Sequence, residues 1–447
     1  MKKAVQVIIF FAASLLMQAQ DMAPDTTLYL EDVNISAFRI NRFTKGQTVQ
    51  VADSLTRQEY PGASLAELIN GISSAYVRNY GQGTLSTLSF RGTSANHSVL
   101  LWNGIRVSPP NIGQVDLSLV QQNFFNNISV LYGGASPMFG SGYIGGGIHL
   151  ENTPVFEKYG YEARFSLSAG SFKTITPEGT LTFYKKNFFS RSAFTLLNSH
   201  NDFPYKDLNG NQEKLPHAAI FRGGVMQDIA IRLPGNQYFM ASGWFQYADR
   251  EIPPTMTQDT SGAVQTDRSW RTMLTWKNFH CRNDLEAKLA YFNEFTRYDD
   301  PRSSVLSLIK SQSVVGSFES TREIGENGSL FGGTQYTFEY ADLDYYTKPE
   351  DQQSLAFYAS YRHEFPALKW QASLNGRQEL FTGYQSPLLF SFGMEGVVWR
   401  MLSARLNVSR NFRAPTMNER FWQPGGNPAL EPEESWNEEI GIKAEQS

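Results

Sequence analysis

From Pro154 onward the chain is written in period two. Tyr161, Ala163, Phe165, Leu167 and Ala169 alternate with Glu162, Arg164, Ser166 and Ser168. Leu285, Ala287, Leu289 and Tyr291 alternate with Asp284, Glu286 and Lys288, and Leu402, Ala404, Leu406 and Val408 with Ser403, Arg405, Asn407 and Ser409. Successive side chains of a strand point to opposite faces, so each segment predicts a strand with one apolar and one polar face. About fourteen such segments fit after Tyr161, many near the roughly ten residues a tilted strand needs to cross a bilayer. Two architectures carry this pattern: a soluble sandwich with its apolar faces inward, or a membrane barrel with apolar faces on lipid and a polar lumen. Lys185, Lys186 and Asn187 form a tight turn, whereas 199–218 and 250–268 are long and polar. Tyr184, Phe188, Phe189, Tyr247, Tyr291, Phe292, Tyr345 and Tyr346 stand at expected strand ends. Short turns on one side, long loops on the other and aromatic strand ends favour the barrel.

The first third reads differently. Lys2 and Lys3 precede the apolar run 5–16, and Ala19 is a small residue suited to cleavage. This predicts a secretory signal peptide over 1–20, too short to span a membrane. Residues 21–50 are polar and aperiodic, except for a patch at 30–37, and are expected to be a mobile segment. Ser64 followed by Glu67 is a capping box for a short helix over 64–69, with Gly71 as its stop. Apolar stretches at 85–90, 99–102 and 128–132, divided by Gly, Pro and Asn, lead to the Gly-rich run 140–147. Residues 51–155 are thus expected to form a compact α+β domain, and 156–447 the strand-rich part.

Composition narrows the function classes. Lys and Arg number 39 against 43 Asp and Glu, a net charge of -4 that excludes a basic nucleic-acid binder. The mean hydropathy of -0.36 excludes a bundle of membrane helices. The single cysteine, Cys281, cannot form an intrachain disulfide and has no zinc-ligand neighbours; it reads as a small buried hydrophobe. The six histidines (His97, His149, His200, His217, His280, His363) show no metal-ligand spacing and read as surface or lumen residues. The run 140–147 lacks the Gly-Lys-Ser/Thr ending of a phosphate loop, and Ser141 lacks the frame of a nucleophile elbow. Residues 207–213 resemble a calcium loop, but the glycine comes too early and no helix flanks it, so an Asn/Gly surface loop is the better reading. No catalytic constellation, metal site or cofactor is expected.

Residues 81–93 (Gly-Gln-Gly-Thr-Leu-Ser-Thr-Leu-Ser-Phe-Arg-Gly-Thr), then 98–104, 115–118, 132–142 and 144–148, resemble the plug domain of TonB-dependent outer-membrane receptors in order and spacing. Arg91, Gly92, Asn103, Gly104, Gly133, Gly140 and Gly146 carry that motif. Glu31, Asp32, Val33, Asn34, Ile35, Ser36 and Ala37 are similar to the family's TonB box, a β-prone segment suited to strand addition onto a periplasmic partner. Residues 411–419 and 425–433 resemble a receptor-barrel motif in which a strand ends in a long loop. Residues 101–104 and 249–254 most resemble members that take up cobalamin. The resemblance implies a mainly β fold: a transmembrane antiparallel barrel, partial here at about fourteen strands where the family has roughly 22, with an N-terminal α+β plug in its lumen.

It also implies a function. A scarce ligand binds the outer face, TonB engages the box from the periplasm, and the work it delivers remodels the plug. Plug-apex contacts carried over from the family are Leu85, Ser86, Thr87, Pro109 and Asn111; their uncharged polar surroundings suit an amide-rich corrinoid better than a ferric siderophore, the alternative cargo. Expected partners are TonB, outer-membrane lipid and the ligand, with a surface lipoprotein left open and no nucleic acid. Many family plugs carry charges where this chain has Asn103, Asn126, Ser129 and Tyr132, so hydrogen bonds are expected in place of plug-to-barrel salt bridges. Rival functions are a surface binder that does not transport and a secreted soluble β protein.

Overall fold

The computed structural model describes residues 39–444 except 81–83, 259 and 281. The signal peptide, the box at 31–37 and Cys281 therefore lie outside the described residues. No described helix is long and apolar enough to cross a membrane.

The N-terminal part contains helix α1 (Arg39–Phe43), strand β1 (Thr48–Ala52), helices α2 (Ser54–Gln58) and α3 (Leu65–Ile72), and the hairpin β2 (Tyr76–Asn79) and β3 (Ser86–Ser89). Strands β4 (Ser98–Trp102), β5 (Ile105–Arg106), β6 (Asn127–Tyr132) and β7 (Gly146–Glu151) follow, with helix α4 (Ser136–Phe139) before the last. One sheet runs β1-β6-β7-β4-β5, with β4 parallel to β7 and the other neighbours antiparallel. Helix α3 starts as expected: the Ser64 and Glu67 side chains each satisfy the other's backbone N–H. It passes through Gly71 and ends at Ser73, because Leu65, Leu68 and Ile69 are packed into the core and hold the last turn. His149 belongs to this core and meets the Tyr143 hydroxyl at 2.8 Å, a correction to its surface or lumen reading: β7 is covered on both faces.

The remainder forms a single antiparallel sheet of fourteen strands. It opens with β8 (Gly160–Gly170), β9 (Thr174–Lys185) and β10 (Phe188–Ser199), and a small separate hairpin, β11 (Pro204–Lys206) and β12 (Gln212–Lys214), follows. The sheet resumes with β13 (Ile220–Leu233), β14 (Gln237–Glu251), β15 (Val264–His280), β16 (Asn283–Asp300) and β17 (Val305–Ile324). It continues with β18 (Gly328–Leu343), β19 (Glu350–Phe365), β20 (Trp370–Phe381), β21 (Leu389–Trp399), β22 (Leu402–Arg413) and β23 (Glu433–Ala444). Helix α5 (Met417–Phe421) lies in the loop before the last strand. Each sheet strand pairs with the next, so the sheet is an up-and-down meander; β8 and β23 are each paired on one side among the described residues.

Alternation along the strands decides what each face meets. On β13, Val225 is 52% exposed while Met226 is 1% and Asp228 0% exposed, and the register pairs Met226 with Trp244 and Asp228 with Ser242 on the inner face. The outer face of the sheet is an apolar band suited to lipid, including Phe165, Leu289, Phe357 and Leu374. Three expected girdle residues are instead buried: Phe189 and Phe292, whose strand parity is opposite to that of Phe188 and Tyr291, and Tyr346, which lies past the end of β18 and packs with Met417.

The sheet curls round the N-terminal domain, which touches strands from both ends of it. Towards β13–β17 the contact is centred on an apolar cluster in which Trp102, Phe124 and Phe125 join Met226, Trp244, Met273, Ala290, Phe292 and Val315. The Trp102 and Trp244 rings meet edge-on at 5.5 Å, and Phe125 meets Trp244 at 5.2 Å. Towards β22 and β23 the contact is polar. The Ser136 N–H donates to Asn411 Oδ1 at 3.0 Å, Ser409 Oγ to the Gly134 carbonyl at 3.1 Å, and Asn437 Nδ2 to the Ile144 carbonyl at 3.0 Å.

The outward reading of Val225 predicts that Val225→Arg destabilises insertion by about 2–4 kcal/mol near the bilayer midplane. Urea titration of protein folded into lipid vesicles measures this, and an unchanged midpoint would contradict the lipid-facing assignment.

Candidate functional site

The residues expected at the plug apex fall on two neighbouring segments. Leu85 is 41% exposed, while Ser86 is buried and its N–H donates to Asp116 Oδ1 at 3.0 Å. Thr87 lies opposite Arg78 in the β2–β3 hairpin. Pro109 closes a turn by accepting the Gly113 N–H at 2.8 Å. Asn111 is buried, and its side-chain oxygen has no partner. Asp116 ties the two segments together, because its Oδ1 also accepts the Ser118 N–H at 2.9 Å, next to Leu117, whose N–H donates to the Ser86 carbonyl.

Asp116 also joins this apex to the barrel. Arg250 Nη1 reaches Asp116 Oδ2 at 2.7 Å, and Arg250 Nη2 reaches Asp267 Oδ2 at 2.6 Å, with the guanidinium side chain only 5% exposed. One cation thus neutralises a plug carboxylate and a wall carboxylate away from water, where removing either partner is costly. Further pairs link Arg91 to Glu439, Arg42 to Glu323, Lys45 Nζ to Glu395 at 3.1 Å, and His97 Nε2 to Glu433 at 2.7 Å. The expectation of hydrogen bonds in place of salt bridges is therefore corrected: both are present, and the ions stand at other positions. Asn103, Asn126 and Tyr132 bond within the plug, to the Asn152 N–H, the Thr153 carbonyl and Gln50 respectively.

The motif residues sit where close approach is needed. Asn103 and Gly104, both at positive φ, make the two-residue turn joining β4 to β5. Arg91 and Gly92 form the turn after β3, and Gly133 follows β6. At Gly140, with φ 91°, a Cβ would fall 2.7 Å from Glu379 Oε1; at Gly146 it would fall 2.7 Å from the Leu131 carbonyl. Only glycine lets the plug backbone come this close to its neighbours.

At the long-loop end the apex is roofed. The Met417 and Asn418 N–H groups of α5 donate to the carbonyls of Pro110 and Asn111 at 3.2 and 3.0 Å. Trp422 stacks on Tyr345 at 4.4 Å, and Tyr346 donates to Asn418 Oδ1 at 2.7 Å, so the β18–β19 loop braces the same roof. Arg413 holds its base through two 2.9 Å bonds to Glu419 and a contact to Glu433. At the opposite end, Phe43 packs on Phe331 at 5.4 Å, and Asn375 Nδ2 donates to the Phe43 carbonyl at 3.2 Å. Glu151, the last residue of β7, is half-buried near Lys288, Lys277 and Glu286; loss of water around it pushes its carboxyl up to about 7 against the pull of the lysines. Among the described residues, no group of three or more His, Cys, Asp or Glu could hold a metal ion.

Comparison with known proteins gives this geometry its family. Residues 42–147 match the TonB-dependent Receptor Plug Domain, and residues 182–446 match the family described as TonB dependent receptor-like, beta-barrel. The chain belongs to the TonB-dependent receptors. It is 22% identical over 383 residues to the vitamin B12 transporter BtuB of Vibrio vulnificus (strain YJ016), covering 81% of this chain and 59% of that protein. The chain spans about three fifths of the length of the curated relatives it matches. Among solved structures it resembles the copper transporter OprC, with a TM-score of 0.75, 14% identity and coverage of 90% of this chain and 71% of the other. The ferric enterobactin receptor PfeA of Pseudomonas aeruginosa gives a TM-score of 0.70, 14% identity and coverage of 90% and 69%. At such identities the structural likeness speaks for the fold alone. The receptor lies in the outer membrane, and its long-loop end is the extracellular one.

Two predictions arise at this interface. Arg250→Ala leaves Asp116 buried without a counterion, at a cost of roughly 3–5 kcal/mol; faster hydrogen exchange across 84–90 and 114–118 than in Arg250→Lys is the expected readout. Glu151 holds a proton in the folded state that it releases at about 4.3 when unfolded, so raising the pH from about 5 to about 7 weakens the docked plug. Glu151→Gln should flatten that part of the stability profile, which thermal melts at several pH values measure.

Proposed function

We propose that this receptor takes up a large, scarce nutrient across the outer membrane, driven by TonB through residues 31–37, and that the cargo is a corrinoid. The observation that carries the transport reading is a folded plug inside a sheet whose inner face is polar: such a lumen is shut at rest and opens when the plug is remodelled. The corrinoid reading is supported by the likeness to a vitamin B12 transporter over most of this chain. The ligand reaches Leu85, Ser86, Thr87, Pro109 and Asn111 from the extracellular side once the α5 roof has lifted. A ferric siderophore is the second reading, favoured by the fold shared with the ferric enterobactin receptor.

Uptake of labelled cyanocobalamin and of a labelled ferric siderophore, with the gene intact and deleted, separates the two cargoes. The expected outcome is loss of cyanocobalamin uptake alone, and unchanged uptake of both would end the transport reading. Removing residues 31–37 should abolish uptake while leaving surface binding intact. Uptake that survives the removal would instead mark transport without TonB, and binding with no uptake in the intact receptor would mark a surface binder.

A further inference from the structure

At the periplasmic rim the short β19–β20 and β21–β22 turns lie side by side, joined by the Val397 N–H, which donates to the Lys369 carbonyl at 3.2 Å. Lys369 and Arg400 stand in these turns at φ 56° and 43°, a region that suits glycine and asparagine and is uncommon for long side chains. Other described rim turns fill their positive-φ places as turn chemistry predicts, with Gly235 and Asn236 after β13 and Gly325 after β17. Neither cation makes an ion pair among the described residues. The acids near these strand ends, Glu364 and Glu395, are already matched on the inner face, by Arg362 at 2.8 Å and Lys45 at 3.1 Å. Around the two cations the surface is apolar. Leu368, Val398, Trp399 and Met401 are each more than half exposed, and the Arg400 guanidinium stands 5.4 Å from the Trp399 ring. A register shift between Val397 and Trp399 breaks the alternation there, which is how residues of both parities come to lie bare. Trp370 lies across Gly396 on the outward face, where a Cβ would fall 2.5 Å from its ring. The lipid-facing band runs down the same two strands through the registered pair Leu374 and Phe392 to this corner.

A patch that continues the lipid face and ends in two cations without carboxylate partners has the chemistry of the boundary between hydrocarbon and headgroups. Tryptophan rings settle at that depth, and basic side chains beside them extend to the phosphates. Every phospholipid offers a phosphate, but a corner with net positive charge favours a headgroup whose own charge is net negative. A lysine and an arginine held where asparagine would fit the backbone better act on something outside the turn. We propose that this corner is a docking site for an anionic phospholipid of the inner leaflet, with Lys369 and Arg400 holding its phosphate and Trp370 and Trp399 flanking its glycerol region. The site is independent of the cargo, and it fixes the depth of the barrel at the periplasmic surface of the membrane.

The test is photocrosslinking of the receptor in phosphatidylcholine vesicles doped with a photoreactive phosphatidylglycerol or, separately, a photoreactive phosphatidylethanolamine, with the labelled peptides identified by mass spectrometry. In the wild type, labelling of 366–370 and 397–402 should favour phosphatidylglycerol, and the β17–β18 turn, which carries Glu326, should show no such preference. Lys369→Asn and Arg400→Asn should each cut the preference at the corner by about fivefold, the effect of one basic side chain at a charged membrane surface, and the double variant should bring it close to unity. Asparagine suits a positive φ, so these changes keep the turns, and heat-modifiable migration confirms that the barrel is folded. Lys369→Arg should retain the preference, and high salt should weaken it. Equal labelling by the two lipids in the wild type, or a preference that survives the double variant, overturns the proposal. So does the capture of a periplasmic protein in place of lipid by a photoreactive residue set at Met401 in intact cells.

Discussion

Hydrocarbon offers no hydrogen bonds, and the rest of the molecule is arranged around that fact. A strand exposed to lipid must satisfy its backbone through its neighbours, so the membrane part is a continuous ladder of fourteen strands with each partner next in the sheet order. The same requirement sends apolar side chains outward and, by period two, collects polar ones inside. Asp228, Arg271, Asn375, Arg377, Ser409 and Asn411 are buried as a result, and a buried polar side chain needs a partner. The plug supplies many of these partners with its backbone: the Ser136 N–H and the carbonyls of Gly134 and Phe124 are each met by a wall side chain.

The plug is nevertheless held in two chemically different ways. Against β13–β17 it shares a hydrophobic cluster around Trp102 and Trp244, with the Arg271 guanidinium 4.2 Å from the Trp244 ring. Against β18–β23 it is held mainly by amide, carboxylate and guanidinium groups, beside a small apolar contact of Phe43 and Met138 with Phe331 and Tyr358. Separating the first contact exposes apolar surface to water, whereas the second exchanges protein hydrogen bonds for water hydrogen bonds at a modest net loss. Helix α1 is bound at the join of the two sides, by Glu323 on β17 and by the Phe331 ring on β18 and Asn375 on β20. The contacts made by the first described residues therefore lie beside the interface that water can most easily replace.

Much of this was legible in the residues before the structure. Alternation located β8, β16 and β22, and the capping box located α3, because both patterns are local. The glycine-rich plug motif was equally readable, since close backbone approach leaves a compositional trace. The ion pairs were not. Asp116 and Arg250 are 134 residues apart, and neither carries a local sign of the other. Parity places Glu339, Glu379 and Arg377 on inner faces, but it does not tell which plug loop they meet. The same limit explains why Ser86 and Asn111, expected at an exposed apex, lie beneath packed neighbours: the α5 roof comes from the far end of the chain. Phe292 looked like a girdle residue from its position near Tyr291, and strand parity turned it inward.

The directions of the two edge strands have one more consequence. β8 rises from the short-turn end toward the long loops, and β23 descends from them. Two strands of opposite sense can pair directly in an antiparallel ladder, or they can be joined through intervening strands only if those come in even number, since each added strand reverses the sense. Closure of the ring is thus a question of arithmetic modulo two as well as of energy, and an odd insertion would force one parallel seam into an otherwise antiparallel wall.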